Sequence, residues 1–236
     1  MMKIAIILPS YKEAENLKVL LPKINEATKK MKCEYSITVV DAIEKMDDTE
    51  LICEQNNAFY LPRKGGNHYG DAIRTGIAEA NGEYIVIMDA DGSHNPEDIA
   101  RLYDKVIEGF DVVIGSRYVS GGNSHNGFLL KLMSLTVNCI YRFVFNINVK
   151  DVSNSFRIYE SKKLKELNLS CENFDIVEEI LILLFQKYKN LKVSEIPIFF
   201  DKRLHGSSKR DLLMFVFSYV ATIVRLYKVK KHNSKT

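Results

Sequence analysis

The chain has 236 residues, 46% of them hydrophobic, and a formal net charge of +3. That apolar share at that length buries a full core, which excludes a disordered or fibrous protein. A charge so small, with no basic stretch interleaved with aromatics, excludes a nucleic-acid binder.

In chain order, the N-terminal run KIAIIL meets Pro9 after a few residues, so it reads as a buried strand and neither a signal peptide nor a membrane span. ENLKVLLPKINEATKK then reads as a helix, YSITVV as a strand, TELICEQN as a helix, AFYL as a strand, DAIRTGIAEA as a helix and YIVIM as a strand. Asp47 with Glu50 suggests a capping box, and Asn95-Pro96-Glu97-Asp98 gives a cap, a first-turn proline and early acids. Apolar residues on consecutive positions suit strands covered on both faces, so residues 1 to about 120 read as an α/β, Rossmann-like doubly wound unit with its sites at the C-terminal strand ends. After DVVIG come a Gly/Ser/Asn loop, SGGNSHNG, and a long apolar stretch, FLLKLMSLTVNCIYRFVF, expected to shape the acceptor side.

No repeat divides the chain, and the expected organisation is a catalytic domain over residues 1–208 with a C-terminal apolar, amphipathic helix and basic tail over 209–236. The run LLMFVFSYVATIVRLY is shorter than the ~20 residues of a spanning helix and contains Arg225, which predicts an interfacial or core-packed helix. Lys228, Lys230, Lys231 and Lys235 follow it, as expected at an anionic membrane surface. The four cysteines, Cys33, Cys53, Cys139 and Cys171, form no Cys-x-x-Cys pair and no zinc-type group, which predicts a reduced, cytoplasmic setting. The five histidines, His68, His94, His125, His205 and His232, show no metal-ligand spacing.

The residues that carry chemistry centre on Asp89-Ala90-Asp91. The strand YIVIM is expected to deliver both to its C-terminal end, where alternation puts the carboxylates on one side, about 7 Å apart, and one hard cation, Mg2+ or Mn2+, could bridge them. Such an ion would neutralise charge on a departing nucleoside diphosphate. The competing reading is a turn with a helix cap, but a turn needs only one acid. Two acids without a nearby base in sequence repel unless a cation binds.

LPSYKEAENL, the triplet in MDADGSHNPEDI, the GSRYVSGG loop and EIPIFFDKRLHGSSK, in that order, resemble the motifs of the family 2 glycosyltransferases of GT-A fold. Within that family the chain looks like the polyprenyl-phosphate sugar transferases typified by dolichol-phosphate mannose synthase. The resemblance implies an inverting transferase that takes a sugar, mannose favoured, from a GDP- or UDP-sugar to a polyprenyl phosphate at the cytoplasmic face of a membrane. It assigns Pro9, Tyr11, Glu13, Asp41, Lys64 and Ala90 to the nucleotide-sugar pocket, with Arg203 and Lys209 as a cationic lid over the diphosphate and Gly206 letting it move. It also assigns Asp89 and Asp91 to the metal, Arg117 to the acceptor phosphate, and Lys131 and Ser134 to further contacts there. In KDVSNSFRIY, Asp151, Ser153, Ser155, Phe156 and Arg157 resemble the acceptor motif. A phosphate acceptor arrives largely as a dianion and needs no general base, only cations that position it.

The chain departs from the family pattern at Ala42, which replaces a usual second aspartate. It departs again at Ser93, which stands where a metal-ligating glutamine is common, and at His68 and Asn154-Ser155, which replace small residues. A phosphatase would need its acidic pair after the first strand, and a dehydrogenase a Gly-x-Gly-x-x-Gly there. Transfer to a sugar hydroxyl and a non-catalytic nucleotide-sugar-binding protein are the remaining alternatives.

Overall fold

Runs of consecutive apolar residues need cover on both faces, and in the folded chain they form a seven-stranded sheet between helices. The structure, a computed structural model, describes residues 2–125, 127–206 and 212–233. Its elements are β1 (Lys3–Pro9), α1 (Ala14–Lys29), β2 (Glu34–Asp41), α2 (Thr49–Gln55), β3 (Phe59–Pro62), α3 (Tyr69–Glu79), β4 (Tyr84–Ile87), α4 (Asp98–Ile107) and β5 (Val112–Ser116). They continue with β6 (Asn123–Ser124), α5 (Phe128–Phe145), β7 (Arg157–Glu160), α6 (Ser161–Lys165), α7 (Ile176–Lys187), β8 (Val193–Pro197), β9 (Phe199–Phe200) and α8 (Leu212–Asn233).

The large sheet runs β3-β2-β1-β4-β7-β5-β8, and β6 pairs with β9 apart from it. Within the large sheet only β7 is antiparallel to its neighbours, β4 and β5. This is the mixed, Rossmann-like GT-A arrangement that the sequence leads one to expect. Alternation along β1 feeds two apolar layers, with Ile4, Ile6 and Leu8 packing towards α1 and α4, and Ala5 and Ile7 towards α3 and α7. Strand β1 lies between β2 and β4, so the order reverses there and leaves a crevice at the C-terminal strand ends. The loops after β1, β2, β3, β4 and β5 open on that edge. Because β7 is antiparallel, residues 151–156 reach the same edge from the other direction.

Three local expectations change. Strand β4 ends at Ile87, and Asp89 and Asp91 lie beyond it, with Asp91 in a turn, so strand alternation does not orient them. Asp47 and Glu50 make no capping box. The N-cap of α2 is Asp48, while Asp47 accepts bonds from Thr49 N (3.0 Å) and, across the fold, from Ala14 N (3.0 Å) at the start of α1. Glu50 instead pairs with Lys45.

The third concerns the apolar C-terminal half, where, of the two readings, interfacial or core-packed, the described part of α8 follows the second. The described part of α8 is docked on the body: Tyr219, Thr222 and Leu226 are buried, and Arg225 pairs with the buried Glu179 at 2.7 Å. Among the residues whose exposure is described, a broad exposed apolar face lies on α5, where Phe128, Leu129, Leu132, Leu135, Ile140 and Phe143 point outward and Phe143 is 89% exposed. Among the described residues α5 is the one helix long and apolar enough to cross a membrane. The expected boundary between residues 208 and 209 lies outside the described residues.

Candidate active site

The crevice between β1 and β4 gathers side chains from five loops. Pro9 ends β1 and is buried, and Ser10 beside it is buried too. Asp41 ends β2, 1% exposed, and burial pushes its carboxyl above the usual range. Arg63, which directly follows β3, fills the space between these loops. Its Nε donates to the Asp41 carbonyl (2.9 Å), its Nη1 to the Asn67 and His68 carbonyls, and its Nη2 to the Ser10 carbonyl. The guanidinium lies 5.8 Å from the Tyr11 ring centre, so it braces the base of the pocket.

Lys64, the neighbouring residue expected in this pocket, is carried away from it. Its ammonium pairs with Glu79 at 2.6 Å, at the far end of α3 and about 15 Å from that helix's first turn. Two adjacent residues in a loop point in opposite directions, and here the inward one is Arg63. Ala90, also expected in this pocket, has its methyl buried in the core.

The acidic turn is half-exposed. Asp89 Oδ1 accepts from the Tyr69 hydroxyl at 3.0 Å, and its backbone N–H faces His94 Nδ1 at 3.4 Å. His94 is buried; its Nε2 meets Asn154 Oδ1 at 3.1 Å, and its ring stacks on Phe156. Asp91 Oδ1 accepts from both Ser93 N (3.0 Å) and Ser93 Oγ (2.6 Å). The Ser93 hydroxyl therefore orients Asp91 by donating its proton to it. Of the two acids only Asp91 builds the turn.

Oδ1 of each acid carries these bonds, which leaves Oδ2 to face a cation, at Asp91 with the Arg203 guanidinium 4.0 Å away, and among the described residues no set of three His, Cys, Asp or Glu side chains converges to hold one. Two carboxylate oxygens suit Mg2+ or Mn2+, which take few protein ligands and complete their shell with substrate phosphates and water. The donor set fits that kind of cation and no all-protein metal cage.

The segment after β9 folds over this turn. Asp201 N donates to the Ser93 carbonyl and Leu204 N to the Asp91 carbonyl, both at 2.9 Å. Arg203 Nη2 bonds both oxygens of Glu13 at 2.7 Å, and its Nη1 lies 4.0 Å from Asp91 Oδ2. Asn16 closes the contact by accepting from His205 N at 2.7 Å. Gly92, at φ +79°, is needed here twice over, because a Cβ would also meet Leu204 Cδ1 at 2.5 Å. Glu13 and Arg203 are thus brought together as partners, and a diphosphate would compete with Glu13 for the guanidinium. Lys209 lies outside the described residues.

Across the crevice, Arg117 is buried and faces Asp151 through paired bonds, Nε to Oδ2 and Nη2 to Oδ1, each 2.8 Å. Burial alone would raise the Asp151 carboxyl, but Arg117 beside it holds it below the ordinary carboxylate range. Arg117 Nη2 also donates to Ser134 Oγ (3.1 Å) and Ser153 Oγ (2.8 Å). The expected phosphate arginine is therefore paired with its own carboxylate, and its Nη2 also holds the two serines. Lys131 lies one turn before Ser134 on α5, on the same face of the helix. Ser155 and Arg157 are buried behind this cluster, with Arg157 Nη1 bonded to the Val177 carbonyl.

Sequence reasoning missed Arg63, Tyr69 and Phe174. Their only signals were a lysine neighbour, an aromatic at a helix start and an aromatic before α7, and none of these names a partner.

Residues 5–167 match the glycosyl transferase family 2. A dolichol-phosphate mannosyltransferase of Pyrococcus furiosus is 34% identical over 234 residues, spanning 96% of this chain and 64% of that protein. A polyprenol monophosphomannose synthase of Mycolicibacterium smegmatis is 30% identical over 214 residues, spanning 86% and 79%. Relative to the first of these, the chain covers a little under two thirds of its length. Among solved structures, glucosyl-3-phosphoglycerate synthase of Mycobacterium tuberculosis, with Mn2+, UDP-glucose and phosphoglyceric acid, aligns over 96% of this chain and 80% of its own. Its TM-score is 0.74 at 16% identity, a likeness of fold alone.

Proposed function

The chain belongs to glycosyl transferase family 2, and from that membership we propose that it moves a sugar, mannose by preference, from a nucleotide diphosphate-sugar to a polyprenyl phosphate. The transfer is inverting and depends on Mg2+ or Mn2+. The names of the two sequence relatives favour a mannosyl group and a lipid phosphate. The cation carried by the structural relative agrees with the two-carboxylate donor set of Asp89 and Asp91.

The observation that carries the acceptor is the position of Ser134. It bonds to Arg117 and Ser153 on one side of α5, while the opposite side of the same helix is an exposed apolar face. A molecule with a phosphate head and a hydrocarbon tail matches that juxtaposition. In this reading the apolar face of α5 lies on the cytoplasmic surface of a membrane, residues 1–208 form the catalytic unit, and residues 209–236 brace it and add basic charge.

Asp89 and Asp91 would hold the divalent cation, which when bound supplies positive charge to the leaving diphosphate. Arg203 exchanges Glu13 for that diphosphate. Asp41, Arg63 and Tyr11 shape the nucleoside end. Lys131, Ser134, Ser153 and the Nη1 edge of Arg117 align the acceptor phosphate for in-line attack on the anomeric carbon, and the phosphate dianion needs no proton removed.

Transfer to a sugar hydroxyl would require a general base. On the acceptor side Asp151, Asp175, Glu178 and Glu179 are all buried, and Asp151, Asp175 and Glu179 are tied to Arg117, Thr222 and Arg225 respectively. That disfavours the hydroxyl reading. The test is to incubate the chain with Mn2+, radiolabelled GDP- and UDP-sugars and a short polyprenyl phosphate, beside Asp91→Asn. Lipid-linked product that the variant loses by at least about a hundredfold is expected. Nucleotide-sugar binding with no turnover on any acceptor would overturn the reading in favour of a non-catalytic binder.

A further inference from the structure

Asp91 is fixed by two bonds from Ser93, but Asp89 has left the strand and its carboxylate has no such local clasp. What meets it is the phenol of Tyr69, from the first residue of α3, at 3.0 Å from Oδ1. The Tyr69 ring is in turn stacked on Phe174, with centres 4.3 Å apart and planes 26° from parallel.

The backbone around this pair is closely joined. Gly70 N donates to the Glu172 carbonyl at 2.6 Å, and a Cβ on Gly70 would overlap the carbonyl oxygens of Cys171 and Glu172. Arg74 also donates to the Cys171 carbonyl. The start of α3 and the segment 171–174 therefore form one seam, and the phenol stands on it at a set height above the acidic turn.

We infer that Tyr69 is a positioning residue for Asp89: its hydroxyl takes Oδ1, so that Oδ2 is the oxygen presented to the divalent cation, and Phe174 holds the phenol in place. The inference rests on the cation-dependent reading above. A carboxylate with one oxygen engaged binds a cation through the other, which suits the tight octahedral shell of Mg2+ or Mn2+. Partners of this kind commonly govern metal affinity as strongly as ligands do, by about 10–100-fold.

The test uses the full chain and reads free Mn2+ by electron paramagnetic resonance during titration, with UDP and separately with GDP present. Tyr69→Phe keeps the ring stack and removes only the hydroxyl. It is expected to raise the apparent Kd for Mn2+ about tenfold, with the melting midpoint in the absence of cation unchanged, a pattern that a purely packing role would not produce. Phe174→Leu, which keeps the hydroxyl but loosens it, is expected to fall between Tyr69→Phe and the parent. Parent-like Mn2+ affinity in Tyr69→Phe overturns the inference alone. Absence of Mn2+ binding in the parent chain with either nucleotide overturns the cation reading and this inference with it.

Discussion

Glu178 is wholly buried among Arg157, Asp175 and Tyr219, and burial pushes its carboxyl up to about 8 despite the nearby Arg157. The folded protein therefore keeps this proton over a range where the unfolded chain, at an ordinary 4.5, has lost it. Its contribution to stability is full below about pH 4.5, declines as pH rises, and is gone above about pH 8, a loss on the order of a few kcal/mol. Glu178→Gln cannot ionise, so urea unfolding of that variant between pH 5 and 8 should show a much shallower loss than the parent. Equal slopes would mean that Glu178 is ionised in the fold. No property of the string VEEI distinguishes Glu178 from Glu179; only the fold gives a direct ion pair with Arg225 to one and full burial near Arg157 and Asp175 to the other. The same holds for Arg63 and Lys64, neighbours in sequence that end up on opposite sides of their loop.

Helix α5 turns a polar side, Ser134, Asn138 and Tyr141, to the body, and an apolar side outward. Soluble proteins seldom leave a face of that kind uncovered, and the proposed occupant is the membrane that carries the acceptor. Replacing Leu132 and Phe143 by serine should lower partition onto anionic vesicles by about tenfold or more, since each side chain contributes about 1.5–3 kcal/mol when buried. Nucleotide binding should not change. Parent-like flotation of the double variant would remove α5 from the membrane contact. The sequence pointed to the C-terminal run for this role because lysines follow it. Hydrophobicity alone could not tell a face that packs on α7 from one that stays open.

At the scale of the whole molecule, α8 acts as a brace. Thr222 bonds to Asp175 at 2.5 Å and Arg225 to Glu179 at 2.7 Å, so the C-terminal helix satisfies buried acids at the N-cap and in the first turns of α7. Ending the chain at Asp211 would leave both acids without these partners, about 1–3 kcal/mol each, and at about 2–4 °C per kcal/mol the melting midpoint should fall by several degrees. An unchanged midpoint with vesicle binding lost would return α8 to a purely membrane role. The sequence by itself determined the alternation of strands and helices over about the first 120 residues and the α/β class, because consecutive apolar runs and helix periodicity are local signals. It also showed where the acidic turn, the acceptor loops and the cationic segment fall along the chain. The tertiary structure alone decided the pairings, Asp89 with Tyr69, Arg203 with Glu13 and Arg117 with Asp151, and opened an apolar face on α5. These join residues distant in the chain, and a hydrogen bond or an ion pair depends on distances of a few ångströms that only the folded backbone sets.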